Sequence, residues 1–136
     1  MKRVVIDTNV LVSALLFGGD PGHLITQWKE HHIQPLSSKE IMEEYLRVLA
    51  YPKFRLTEEE IEYLFSQEML PYFEVITVKS GQPFVLEDPS DDKFIWCALE
   101  GGAEAIISSD RHLLKLRSCP VPIFSPSEFI RVERKK

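Results

Sequence analysis

Two aspartates in this chain stand in the same local pattern, and that pattern is one that chemistry uses. Asp7 follows the apolar run Val4, Val5, Ile6 and precedes Val10, Leu11, Val12, Ala14, Leu15 and Leu16, while Asp110 follows Ala105, Ile106, Ile107, Ser108 and Ser109 and precedes Arg111 to Leu116. A buried strand that ends on an acid and feeds a helix delivers the carboxylate to the crevice outside the strand ends, where α/β sheets bind ligands. If the two strands are neighbours, both acids open into one crevice. Helix starts can bring further acids to it. Asp91 lies in line with Phe94, Ile95, Ala98 and Leu99 at about 100° per residue, on the packed side of its helix. In the helix after Ser38 the stripe is Ile41, Met42, Tyr45, Val48 and Leu49, and both Glu43 and Glu44 flank it, so the wheel does not choose between them.

Several carboxylates at one point repel one another, and a dry site answers by raising their pKa values. A divalent cation removes the conflict. Oxygen-only donors select a hard ion such as Mg²⁺ or Mn²⁺, which lowers the pKa of a bound water and stabilises charge developing on a phosphodiester, in some sites as a pair of ions about 3.5–4 Å apart. Hydrolysis of a phosphodiester bond is the chemistry such a cluster supports. The competing explanation is that each acid is a helix cap or a surface charge, since Asp at an N-cap accepts from free helical N–H groups.

The elements that must position these acids follow from patterning. Phe17 to Gly22, rich in Gly and Pro, predicts a loop, followed by a helix from about His23 to His31 with Leu24, Ile25 and Trp28 on one face. Ile33 to Leu36 is a short strand weakened by Pro35. Ser37-Ser38-Lys39-Glu40 reads as a capping box with Ser37 as the cap, opening a helix to about Ala50 that stops before Pro52. Thr57-Glu58-Glu59-Glu60 opens a helix carrying Ile61, Leu64, Phe65 and Leu70, which Pro71 breaks. Phe73 to Val78 predicts a strand and Lys79 to Pro89 a loop. Ser90 or Asp91 starts a helix that Gly101-Gly102 ends. Val121 to Phe124 is an edge strand, Ser125-Pro126-Ser127-Glu128 a further capping box, and Val132 to Lys136 a fraying polar tail. Strands alternating with helices imply a parallel sheet covered on both faces.

The 136 residues, 44% hydrophobic, suit one domain. With 16 Lys+Arg against 21 Asp+Glu, the net charge of −5 gives no global basic field, so any nucleic-acid contact must be local. Cys97 and Cys119 form no CxxC pair, which argues against a disulfide framework or a cysteine zinc site and fits a reduced, cytoplasmic setting. No stretch reaches the ~18 apolar residues of a membrane helix. Lys2-Arg3 before an apolar run imitates a signal peptide, but Asp7 and Asn9 interrupt the run.

The segments VVIDTNVLV, SSKEIMEEYLRVLAYPKF, DPSDDKFIWCAL and GGAEAIISSDRHLL, in that order, together resemble PIN-domain proteins, in particular the branch similar to VapC-type ribonucleases of toxin–antitoxin systems. The resemblance implies an α/β fold of three α/β/α layers around a five-stranded parallel sheet of order 3-2-1-4-5. It also implies an acidic pocket for Mg²⁺ or Mn²⁺, cleavage of single-stranded RNA, an antitoxin partner and a homodimer. One PIN domain would span 1–132, with 133–136 a charged tail. By the same resemblance the four metal-site acids are Asp7, Glu44, Asp91 and Asp110, with Thr8, Asn9, Asp92 and Ser108 in support, and with Asp92 and Asp88 as alternatives to Asp91. His112 stands where relatives carry another acid, which leaves one or two metals open, and Trp96 fills a position usually small.

Lys93, Arg111, His112, Lys115 and Arg117 follow the third and fourth acids and could form a basic rim for RNA phosphates, or be ordinary surface charge. Lys53 and Arg55 could help in the same way. His31 and His32 are adjacent and point apart, as a solvated helix end would have them. Two other functions compete: a silent PIN fold that binds RNA or an antitoxin without cutting, and a phosphoaspartate phosphatase. The second wants an Asp two positions after the first, and Asn9 stands there.

Overall fold

The β-branched run at Val4 to Ile6 is buried on both sides, as a central parallel strand must be, and it forms the C-terminal part of β1 (Lys2–Ile6). The structure, a computed structural model, describes residues 1–85 and 88–134; Leu86 and Glu87 of the expected loop and Lys135 and Lys136 of the expected tail lie outside the described residues. After β1 come α1 (Thr8–Leu16), α2 (Gly19–Lys29), β2 (Ile33–Ser37), α3 (Lys39–Leu49) and α4 (Glu58–Tyr63). They are followed by β3 (Glu74–Val75), α5 (Asp92–Gly101), β4 (Ala105–Ile107), α6 (Arg111–Leu114), β5 (Ile123–Phe124) and α7 (Pro126–Arg134). The five strands are all parallel in the order β3-β2-β1-β4-β5, flanked by helices in three α/β/α layers, as the sequence led us to expect.

Several boundaries differ from the pattern, each for a local reason. Gly19 to Gly22 are not loop but the first turn of α2, because Pro21 needs no N–H partner there and Gly18 supplies the entry at φ 76°. Ser38, not Ser37, caps α3: its hydroxyl accepts from the Ile41 N–H at 3.2 Å, while Ser37 closes β2. The boxes at Thr57/Glu60 and Ser125/Glu128 form with both reciprocal hydrogen bonds. β3 is two residues long rather than six. The Ser37 carbonyl accepts from Ile76 N–H on the β3 side, so by the two-residue period of a strand Pro35 also faces that side and offers no donor. The Gln34 amide takes over instead, donating to the Tyr72 carbonyl at 2.7 Å. α4 continues as a wider π-helical stretch over Leu64–Met69. α7 runs to Arg134 through the stretch expected to fray, and Glu133 pairs with Lys2 at 2.6 Å.

Beneath this sheet Trp28 is 1% exposed, stacks edge-on to Phe73 at 5.2 Å between ring centres, and donates its indole N–H to the Glu68 carbonyl at 3.0 Å. Removing a fully buried indole leaves a cavity and an unmet carbonyl, so Trp28→Ala is expected to lower unfolding free energy by about 3–5 kcal/mol. A urea titration reading below 1 kcal/mol would contradict this packing.

Candidate functional site

Asp7 reaches the site because the β1–β4 ladder carries on one residue past β1. Ile6 pairs with Ile107, and the Asp7 N–H then donates to the Ile107 carbonyl at 2.9 Å. That register sets its carboxylate beside Ser108. Oδ1 accepts from the Val10 N–H at 2.9 Å, while Oδ2 accepts from the Ser108 hydroxyl and from the Ser109 N–H at 3.3 Å. Asp7 is therefore a helix cap and a strand-end acid at once; the two roles do not exclude each other. Only 4% exposed, it has its pKa pushed up to about 6, mainly by burial against the restoring effect of these hydrogen bonds.

Asp110 sits at the matching place after β4. Its Oδ1 caps α6 by accepting from the His112 N–H at 2.8 Å, and its own N–H donates to Ser108 Oγ at 2.9 Å. Ser108 thus ties both strand-end acids together. Opposite them, a 3₁₀ turn at Pro89–Asp91 carries two more acids, with Asp88 capping it through the Ser90 N–H at 3.2 Å. Carboxylate oxygens of Asp88, Asp91 and Asp110 all lie within 4.8 Å of one another. Asp91 Oδ2 is buried with no hydrogen-bond partner among the described residues. Burial, then Asp110 and Asp88, push the Asp91 pKa up to about 8, with Lys93 opposing.

Glu44 is half-buried on α3 while Glu43 is exposed. Glu44 does not fall in the tight aspartate cluster. Its Oε2 accepts from the Thr8 hydroxyl, and its Oε1 lies 2.7 Å from Lys93 Nζ. The neighbouring Tyr45, fully buried, donates its hydroxyl to the Ile6 carbonyl and so fixes α3 against the end of β1.

Lys93 is the main correction. Its side chain is 5% exposed, held between Glu44 and the Ser90 carbonyl, so it is no part of a rim that RNA could touch. A sequence signal existed: Lys93 precedes the buried Cys97 by one helical turn, and a lysine on an inward stripe demands an acid partner. Asp92, buried, accepts from the Phe84 and Val85 N–H groups at 3.0 and 2.8 Å and pins the incoming loop rather than joining the cluster. Trp96 strengthens that strap: its indole N–H donates to the Gln82 carbonyl at 2.9 Å, and its ring lies where a side chain on Gly81 would come within 2.9 Å. Asn9 is exposed. Arg111, His112 and Lys115, also exposed, line an open groove of about 690 Å³ with Phe84, Val85, Leu116 and Ser118.

The residues fit a hard divalent cation: every clustered donor is a carboxylate oxygen, one of them is buried without a partner among the described residues, and their mutual repulsion favours protons where no ion neutralises them. A pH dependence follows. With pKa values raised to about 6 at Asp7 and about 8 at Asp91, the folded chain keeps protons that the unfolded chain releases, so this stability is present below pH ~4 and is lost as pH rises through both values. For Asp7 alone, at about 1.4 kcal/mol per tenfold change in proton affinity, the loss is about 3 kcal/mol. Thermal melts in chelator are expected to show Tm falling between pH 5 and 8.5, and saturating Mn²⁺ to raise Tm more at pH 8 than at pH 5.5. A Tm independent of pH in chelator would contradict the assignment.

Comparison with known proteins agrees with this geometry. No curated protein matches the chain by sequence. The fold is similar to that of PAE2754 from Pyrobaculum aerophilum (TM-score 0.58, 15% identity, covering 98% of this chain and 90% of that one). It is similar also to that of FitAcB from Neisseria gonorrhoeae (TM-score 0.61, 14% identity, covering 91% of this chain and 98% of that one). At these identities the likeness is one of fold. A family model described as "PIN domain" matches residues 3–112, and PIN domains are in general metal-dependent nucleases. With the sheet order, the strand-end aspartates and most of its length under that model, the chain belongs to the PIN-domain family.

Proposed function

We propose that the protein is a Mg²⁺- or Mn²⁺-dependent endoribonuclease that hydrolyses phosphodiester bonds of single-stranded RNA. The observation that carries this reading is the convergence of Asp91, Asp110 and Asp88 at the ends of the strands, beside Asp7, with a buried carboxylate oxygen that has no partner among the described residues. Asp7, Asp91 and Asp110 would hold the ion with Asp88 in reach, while Glu44, held by the Thr8 hydroxyl and Lys93, lies outside the tight cluster. A bound ion would supply an activated water and a counter-charge for the phosphate.

The protein's own groups do the rest. Ser108 orients Asp7 and Asp110 together, and Asp92 with Trp96 holds the loop that leads to the Asp88–Asp91 turn. Arg111, His112 and Lys115, which line one open groove, would bind substrate phosphates and so set where the strand lies. The biological setting that suits such a domain is the toxin of a toxin–antitoxin pair, with an antitoxin as partner, a homodimer as assembly and the cytoplasm as location. One domain over 1–132 with a short charged end accommodates all of this. No helix among the described residues is long and apolar enough to cross a membrane.

Fluorescent single-stranded RNA incubated with protein and Mn²⁺ is expected to be cut, and Asp7→Asn and Asp110→Asn to slow cutting by on the order of 100-fold or more, since even outer partners of a metal site are worth about 10–100-fold. RNA bound but left whole by the wild type with either ion would instead identify a silent binding module. Preferential cutting of single-stranded DNA would move the substrate assignment.

A further inference from the structure

Glu44 and Lys93 form a feature that the nuclease reading does not use. Lys93 is a nearly buried lysine whose ammonium lies 2.7 Å from Glu44 Oε1 and donates to the Ser90 carbonyl, with the centre of the Phe94 ring 4.9 Å away. The Ser90 carbonyl belongs to the same turn that carries Asp88 and Asp91. Both oxygens of Glu44 are occupied, Oε2 by the Thr8 hydroxyl and Oε1 by this ammonium, with the largely exposed Arg47 more distant at 3.9 Å from Oε1. The charge of Lys93 is also felt at Asp91, where it opposes the crowding by Asp110 and Asp88. A fixed cation therefore bridges the α3 acid and the turn that carries Asp88 and Asp91, and it occupies a Glu44 oxygen that a second divalent ion shared by the two would need.

We infer that Lys93 is a built-in counter-cation that takes the place of a second metal at Glu44, so that the centre binds one divalent ion, held by the aspartates alone. The argument is electrostatic and steric. A monovalent ammonium on a tether neutralises Glu44 and blocks Oε1, as the Thr8 hydroxyl blocks Oε2; it leaves Asp91 Oδ2, buried with no partner among the described residues, as the open ligand of the aspartate cluster. An aspartate cluster with an internal cation at Glu44 makes a one-ion site from an acid set large enough for two. Lys93 and Glu44 are then positioning residues, which hold the Asp88–Asp91 turn against α3 without touching the ion. This rests on the metal-centre reading above.

Isothermal titration of the full chain with Mn²⁺ tests it, alongside Lys93→Met, Lys93→Arg and the charge-neutral double variant Lys93→Met with Glu44→Gln. The wild type and Lys93→Arg are expected to bind one Mn²⁺ and Lys93→Met two, the second through the freed Glu44. The double variant is expected to bind one, with affinity within about threefold of the wild type, which holds the test open should the single Lys93→Met variant fail to fold. Two ions in the wild type, one ion in a folded Lys93→Met, or a tenfold or greater loss of affinity in the double variant would each overturn the inference and leave the metal centre standing. A wild type that binds no Mn²⁺ overturns both.

Discussion

Everything at this centre depends on the parallel pairing of β1 with β4. The ladder fixes Ile6 opposite Ile107 and extends through the Asp7 N–H to the Ile107 carbonyl, so two aspartates a hundred residues apart in the chain are delivered to the same end of the sheet. A parallel sheet buried on both faces has few ways to slip, because its strands are apolar throughout and its helices lock it from either side. The sheet spends that rigidity on holding like charges together. Ser108 sits at the junction, donating to Asp7 and accepting from the Asp110 N–H, and so converts strand register into acid–acid spacing.

The second half of the centre is assembled differently. Asp88 and Asp91 ride on a single 3₁₀ turn rather than on a strand end, and that turn is held from behind. Lys93 clasps the Ser90 carbonyl and Glu44, and Asp92 clasps the two N–H groups that end the preceding loop. Neutral hydrogen bonds thus position one pair of acids and charged contacts the other. The raised pKa values of Asp7 and Asp91 record how strongly the fold works against their ionisation.

Much of this was legible in the residues, and what was not has a physical reason. The strand-then-acid pattern at Asp7 and Asp110 was visible because strand type and position are local properties. So were two of the capping boxes. Ser38 in place of Ser37 is a one-residue slip that only the end of β2 decides. The first turn of α2 was hidden because Gly and Pro signal turns in general, while helix N-termini tolerate both. Glu44 over Glu43 and the burial of Lys93 could not come from a helical wheel, since each depends on an element distant in sequence: α1 supplies Thr8, and α3 supplies the partner of Lys93. The short β3 follows from the side of β2 on which Pro35 lacks its donor, which only the register reveals.

The two tryptophans divide the molecule between them in a way that bears on how it can be observed. Trp28 lies sealed under the sheet against Phe73, whereas Trp96 is partly exposed and rests on Gly81 in the strap leading to the aspartate turn. Their fluorescence therefore separates by environment: a blue-shifted emission that reports global unfolding, and a quenchable one that reports only whether the strap is seated. Replacing either indole with phenylalanine isolates the other signal, which gives the chain an intrinsic optical probe beside its acidic pocket without any attached dye.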